Sequence, residues 1–330
     1  MDKNTNKNYK VLVTPTSVNP NAKSPTMARL RAFAGELTFN PTGRPLGGRA
    51  LSELLRGRDG VVAGLDDYSG DVIRECAATG LKVISRYGSG YDNVDIGAAR
   101  ECGVAVCYTP GANAEAVADL AFGLMLCAAR RLPMLDRRTK AGEWARSIGT
   151  ELYGKTIGIV GLGAVGKGVA RRALGFSMRV LAYDTMLDLD FMRANGIVAV
   201  AFGELIAASD FITLHLPLNS STRHIINGDV LGAVKQGAVL INTARGGLID
   251  EAAAYEALVS GRLGGLGLDA YEQEPPPAAS PLFGLDNVVL TPHTGAHTVE
   301  ATGNLLEMSV ANLIDVLSGR PCRNTVKCIT

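Results

Sequence analysis

The chain has 330 residues, 47% of them hydrophobic, with 33 basic against 32 acidic side chains and a net charge of +1. That length suits two domains with sizeable cores, and the balanced charge argues against a nucleic-acid or membrane partner. Six cysteines without CxxC spacing and only four histidines argue against a metal site and point to a reduced, cytoplasmic setting.

The first ten residues, MDKNTNKNYK, are polar and lack the apolar stretch of a signal peptide. From Tyr9 onward, short apolar runs alternate with helix-like stretches. Strands are expected at 11–14, 60–63, 82–85 and 104–107, and helices at 27–34, 50–56, 71–78 and 96–101. Such alternation predicts a parallel sheet covered by helices. The breaker Thr109-Pro110-Gly111 precedes a long helix at 114–130. Its most apolar part contains Asp119 and is too short to span a bilayer. A loop with Trp144, the only tryptophan, follows.

The stretch KTIGIVGLGAVGKGVARRALGFSMRVLAYD, residues 155–184, is the most informative in the chain. An apolar strand at 157–160 runs into Gly161, Gly163 and Gly166, then a helix pattern, then a second strand at 178–183 ending in Asp184. Gly161 permits a tight turn, Gly163 lets backbone approach a pyrophosphate, and Gly166 lets helix pack on strand. The helix N-terminus offers free N–H groups to phosphate, and Asp184 stands where a carboxylate accepts from a ribose hydroxyl. A bare GxGxxG is a weak signal, but strand, glycines, helix, strand and acid in this order predict dinucleotide binding.

Beyond Asp184 the alternation resumes, with strands at 211–214, 238–242, 265–268 and 288–291 and helices at 203–208, 228–233 and 251–260. The proline-rich 272–281 reads as a rigid loop, and 299–317 as an amphipathic helix able to close on either domain. Two α/β units with a ligand cleft between them are expected. Arg245, Glu274 and His293 each follow an apolar strand, at the ends where open α/β sheets bind ligands. Arginine holds a carboxylate through paired hydrogen bonds. Histidine exchanges a proton near neutral pH, and a glutamate beside it stabilises imidazolium. Taken singly, each is more often a surface charge, a loop residue or a packed side chain. Together they suit hydride transfer to a 2-keto acid.

The segments RYGSGYDNVD (86–95), TPGANAEAVADLAFGLML (109–126), the glycine-rich unit, INTARGGLIDE (241–251), GLDAYEQEP (267–275) and TPHTGA (291–296) occur in the order found in one family. The chain resembles the D-isomer-specific 2-hydroxyacid dehydrogenases, and within them the D-3-phosphoglycerate dehydrogenases. The resemblance implies two doubly wound parallel-sheet domains, with a Rossmann NAD domain at 108–296 inserted into a flavodoxin-like substrate domain at 1–107 and 297–330. It implies that Arg245 binds the substrate carboxylate and carbonyl, and that His293 transfers the proton. Glu274 would pair with His293 and favour its imidazolium form. NAD would meet Gly161, Gly163, Ala164, Val165, Gly166, Asp184, Leu216, Pro217, Thr243, Ala244 and Asp269, the last at the nicotinamide carboxamide. The backbone of Gly88, Ser89 and Gly90 would receive the substrate carboxylate. The helix at 114–130 would lie in a homodimer interface.

Two features depart from the phosphoglycerate pattern. The segment VVAGLDDYSGD, 61–71, has Asp66 and Asp67 where an arginine for the substrate phosphate is expected, leaving Arg86, Arg44 or Arg49 as replacements. No regulatory domain is expected after Val326. The substrate expectation is therefore a small D-2-hydroxy acid, led by 3-phosphoglycerate. The alternatives are glyoxylate, hydroxypyruvate, lactate or a phosphonate or sulfonate analogue. A non-catalytic, NAD(H)-sensing corepressor-like protein and a hydrolase of adenosylhomocysteine type are other readings.

Overall fold

Runs of apolar residues build two parallel sheets in the computed structural model, which describes residues 8–326. The chain divides into two units, Met1–Asn113 with His297–Thr330, and Ala114–Ala296.

In the first unit the elements alternate. They are β1 (Tyr9–Val13), α1 (Pro25–Phe33), β2 (Ala34–Phe39), α2 (Gly48–Leu55), β3 (Gly60–Ala63), α3 (Gly70–Ala77), β4 (Val83–Arg86), α4 (Ile96–Glu101) and β5 (Ala105–Cys107). The strand order β2-β1-β3-β4-β5 is that of flavodoxin-like doubly wound sheets. One sheet face packs Val61, Ile84 and Val106 against Leu51, Leu55 and Ile73 of α2 and α3. The other packs Val11, Val62 and Val83 against Met27 and Leu30 of α1. Strand β2 was not expected from the sequence. It is an edge strand paired only to β1, and of its six residues only Ala34 is buried, so it carries no apolar run.

The second unit begins with α5 (Ala114–Arg130) and α6 (Leu132–Lys140). There follow β6 (Thr156–Val160), α7 (Ala164–Gly175), β7 (Arg179–Tyr183), α8 (Leu189–Asn195), β8 (Val198–Ala199), α9 (Phe202–Ala208) and β9 (Phe211–Leu214). Next come α10 (Gly228–Ala233), β10 (Ala238–Asn242), α11 (Glu251–Val259), β11 (Leu263–Leu268) and β12 (Val288–Leu290). The sheet runs β12-β11-β10-β9-β6-β7-β8. Counted from β6, this is the Rossmann order with one further strand, and the order reverses between β6 and β9. Helices α6 and α8 were not anticipated, because each buries a single methionine, Met134 and Met192. Strand β8 is two exposed residues at the sheet edge.

Helix α5 contributes to the core of its own unit. Ala121, Leu124 and Met125 are buried and Leu120 is partly buried, all within the core that α5 forms with the sheet and α7, and Val117 is buried too. Leu120, Leu126 and Cys127 of the same helix are only partly buried.

The last helix, α12 (Val299–Leu317), returns to the first unit, where Val310 and Leu313 are fully buried against β3 and β4. Its backbone is tied there by the Ser85 hydroxyl donating to Ser309 O at 2.7 Å. The Asn312 amide donates to Tyr108 O at 2.9 Å. Among the described residues no helix is long and apolar enough to cross a membrane, and no cluster of three or more His, Cys, Asp or Glu could hold a metal.

Candidate active site

Strand β6 ends at Val160, and the chain turns at Gly161 with φ +99 before entering α7 at Ala164. A Cβ on Gly161 would lie 2.7 Å from the His215 carbonyl carbon, and one on Gly166 would lie 2.1 Å from Gly161 O. Only glycine fits either place. Gly163 differs, since a Cβ there would meet nothing within 4 Å, so its backbone faces open space that a ligand can approach. Gly163 caps α7 without a side-chain bond, leaving the first-turn N–H groups of Ala164 and Val165 to an anion. Asp184, just past β7, reaches back over this turn. Its carboxylate accepts from Leu162 N at 2.6 Å and Met186 N at 3.0 Å. Across the switch point, the buried Thr243 hydroxyl has no partner among the described residues, in the loop that follows β10. Between them lies His215, whose ring meets the Thr213 hydroxyl at 2.9 Å and whose pKa burial pushes down to about 3. It leads into Leu216 and Pro217. A glycine cradle, an anion-ready helix end, a ribose-side carboxylate and an orphaned hydroxyl fit a dinucleotide.

The ends of β11 and β12 carry the second group of residues. His293 Nδ1 lies 2.9 and 2.8 Å from the two Glu274 oxygens, with both side chains 38% exposed. Burial pushes the Glu274 carboxyl up. The His293 hydrogen bond and charge, the Tyr271 N–H and the Arg245 charge outweigh it and hold the group below its ordinary value. His293 has φ +50, a left-handed backbone that non-glycine residues seldom adopt. Asp269 braces this loop. It is buried, and its carboxylate accepts from the Thr291 hydroxyl at 2.6 Å, Thr294 N at 2.7 Å and Gly295 N at 2.8 Å. Tyr271 closes the arrangement, with its hydroxyl donating to Thr291 O at 2.8 Å and its N–H to Glu274 at 3.1 Å.

Arg245 follows β10 in extended backbone. Buried Asn242 shapes its turn, accepting from Ala244 N at 3.0 Å and donating to Arg245 O at 2.8 Å. Asn242, Tyr271 and Thr291 are supporting residues that the sequence reading missed. The signal available was their place at or just beyond strand ends, beside the residues it did select.

In the first unit Arg86 is only 5% exposed. Its guanidinium donates to Ala63 O at 3.1 Å, Tyr87 O at 2.8 Å and Asn93 Oδ1 at 3.1 Å. It packs under Gly88, whose Cβ would come within 3.1 Å of it. Gly88 O in turn accepts from Thr109 N at 3.0 Å. Asp66 is also turned inward, accepting from Leu46 N at 2.8 Å and from the Thr14 hydroxyl. Arg44 and Arg49 are exposed, and Arg49 pairs with Glu53 at 3.3 Å.

Residues 122–295 match the family model for the NAD-binding domain of D-isomer specific 2-hydroxyacid dehydrogenases. The chain is 40% identical to a glyoxylate reductase of Korarchaeum cryptofilum, over 84% of this chain and 85% of that one. The chain belongs to the D-isomer specific 2-hydroxyacid dehydrogenase family. It is an NAD-dependent oxidoreductase. It is also 44% identical to a D-3-phosphoglycerate dehydrogenase of Archaeoglobus fulgidus, over 76% of this chain but 48% of that protein, about half its length. The solved structure of the TT0316 protein from Thermus thermophilus matches 96% of this chain and 100% of its own, with 37% identity and a TM-score of 0.84. The glycine turn and the His293–Glu274 pair both lie in the second unit of the fold.

Proposed function

We propose that this dehydrogenase interconverts a short D-2-hydroxy acid and its 2-keto acid, with His293 as the proton-transfer group. The observation that carries the reading is the His293–Glu274 pair at 2.8 Å. With Nδ1 held against a carboxylate, Nε2 is the ring atom that exchanges a proton with substrate oxygen. Glu274 stabilises the imidazolium that gives the proton during ketone reduction and that re-forms during alcohol oxidation. Arg245 takes the carboxylate and polarises the carbonyl through its forked donors. Gly161, Gly163 to Gly166, Asp184, Leu216, Pro217, Thr243 and Ala244 hold the dinucleotide. Bound NAD supplies or accepts the hydride. Asp269 is spoken for by the Thr291–Gly295 loop, so its assignment here is to hold His293 in place as well as to border the nicotinamide. Gly88, Ser89 and Gly90 offer backbone to the substrate carboxylate.

For the substrate we infer glyoxylate or hydroxypyruvate ahead of 3-phosphoglycerate. Arg86, the phosphate contact considered first, spends its guanidinium on backbone carbonyls and on Asn93, which supports a bracing role beneath Gly88. The phosphoglycerate reading keeps the support of 44% identity to the Archaeoglobus protein. A panel assay of NADH oxidation with glyoxylate, hydroxypyruvate, pyruvate and 3-phosphohydroxypyruvate separates the two. Highest kcat/KM on the phosphorylated acid would reverse the order. Arg86→Ala is expected to impair all four substrates alike, whereas a selective rise in KM for the phosphorylated one would restore Arg86 as a phosphate ligand.

We further infer a cytoplasmic enzyme, from cysteine spacing, and a homodimer. Trp144, Ile148 and Tyr153 are 85%, 94% and 71% exposed within one short stretch between α6 and β6. Apolar surface concentrated in this way marks an interaction site, and the family resemblance makes a second copy the partner.

A further inference from the structure

The turn that carries Glu274 also carries Glu272, and Glu272 meets a second histidine. His224 Nε2 contacts Glu272 Oε1, with side chains 34% and 32% exposed. The pair sits on stacked backbone. His224 N donates to Gly247 O at 2.8 Å and Ile226 N to Leu248 O at 3.0 Å, so 224–226 runs alongside the stretch that follows Arg245. On the other side of that stretch, a Cβ on Gly246 would lie 1.8 Å from the Tyr271 carbonyl carbon and 2.3 Å from Glu272 N. Three segments are thus pressed together: one bearing His224, one Arg245, one Glu272 and Glu274. The His224–Glu272 contact spans the outer two. Glu251 grips the turn from below, accepting from Glu272 N at 2.7 Å.

The backbone of His224 supports a specific role. Among the described residues four non-glycines have positive φ, and two of them are His224 at φ +49 and His293 at φ +50. A left-handed histidine costs free energy, and such conformations collect where surrounding structure requires them. Both histidines of the two His–Glu pairs are held in this way.

We propose that His224 and Glu272 are positioning residues, whose contact clamps the 271–274 turn onto the Arg245 segment and so sets the Glu274 carboxylate against His293. This rests on the reading of His293 and Glu274 as the proton-transfer pair. The charged and titratable groups around the clamp are Arg223 beside Gly247, Glu251 under Glu272, Arg245 in the middle segment, Tyr271 next to Glu274, and Asp269 near Tyr271. Burial pushes the Tyr271 phenol up to about 12 and, with the Glu272 charge, raises the Glu251 carboxyl.

The test is the pH profile of glyoxylate reduction by NADH for the wild type, His224→Ala, Glu272→Ala and Glu272→Gln, with melting temperatures measured in parallel. A displaced Glu274 stabilises imidazolium less, so the alkaline limb of both alanine variants moves to lower pH by about one unit, the lower end of what a nearby opposite charge supplies. Glu272→Gln keeps an acceptor for His224 and retains the wild-type limb. General loss of stability would lower the melting temperature without moving the limb. Unmoved limbs in both alanine variants would overturn the proposal, as would a shift in Glu272→Gln equal to that of Glu272→Ala. A His293→Ala enzyme that keeps the alkaline limb would instead remove the underlying proton-transfer reading, so the two failures are distinguishable.

Discussion

Glu274 holds a low carboxylate pKa despite its burial because a histidine, a backbone N–H and an arginine all favour its charged form. The same geometry sets its carboxylate against His293 Nδ1 at 2.8 Å, the contact on which the proposed proton transfer rests. His293→Ala is expected to lower turnover by roughly a hundredfold or more, the usual scale of general acid–base catalysis. Glu274→Gln is expected to move the alkaline limb of ketone reduction to lower pH, since the neutral amide no longer favours imidazolium. Unchanged turnover in the first variant, or an unmoved limb in the second, would contradict the roles. Glu274 also links pH to folding. Its folded pKa lies below the ordinary 4.5, so its contribution to stability is complete above that value and is lost as pH falls below it. At the other end of the site, Asp184 is followed by exposed Thr185 and Met186. A carboxylate there accepts from ribose hydroxyls and repels a 2′-phosphate. Comparison of kcat/KM for NADH and NADPH is expected to favour NADH clearly, and equal values would remove Asp184 from the ribose site.

At the level of elements, glycines decide how closely segments approach. Gly246 lets the Arg245 segment lie against the Tyr271–Glu272 peptide, where a Cβ would come within 1.8 Å of backbone. Backbone cannot step aside as a side chain can. Gly246→Ala is expected to cost about 3 kcal/mol or more in urea unfolding, at the upper end of overpacking penalties. It is also expected to lower activity by displacing Arg245 and Glu274 together. An enzyme of normal stability would show that the three segments are looser than they stand. The elements readable in the sequence are those with a full apolar run, such as β6, β9 and β10, each buried along nearly its whole length. Those not readable are the edges and short surface helices, β2, β8, α6 and α8. They bury too few side chains to impose a period.

At the level of the whole molecule, the homodimer inferred above has two surfaces to draw on, the partly buried side of α5 and the 144–153 stretch. The apolar face of α5 packs on β10, β11 and α7 within its own unit. The exposed Trp144, Ile148 and Tyr153 carry the proposed interface. Light scattering is expected to give a dimer at micromolar concentration, and Trp144→Ser combined with Ile148→Ser to weaken it. A wild-type monomer, or a double variant as dimeric as the wild type, would count against that surface.

The sequence by itself determined the family, the alternation of strands and helices and the glycine turn, and it singled out Arg245, Glu274 and His293 as candidates. These are local properties, because a tight turn needs glycine wherever it occurs and a buried strand needs an apolar run. What only the tertiary structure decided is direction and partnership. Arg86 reads in sequence as a candidate phosphate contact, and the fold turns its guanidinium under Gly88, donating to two backbone carbonyls and Asn93. Asp269 reads as a cofactor contact, and the fold adds that its carboxylate braces three groups between Thr291 and Gly295. The contact between His224 and Glu272 joins residues 48 positions apart. Composition and periodicity tell which residues are buried. Which polar group a buried or half-buried side chain meets depends on strands brought together from distant parts of the chain, and only folding settles that.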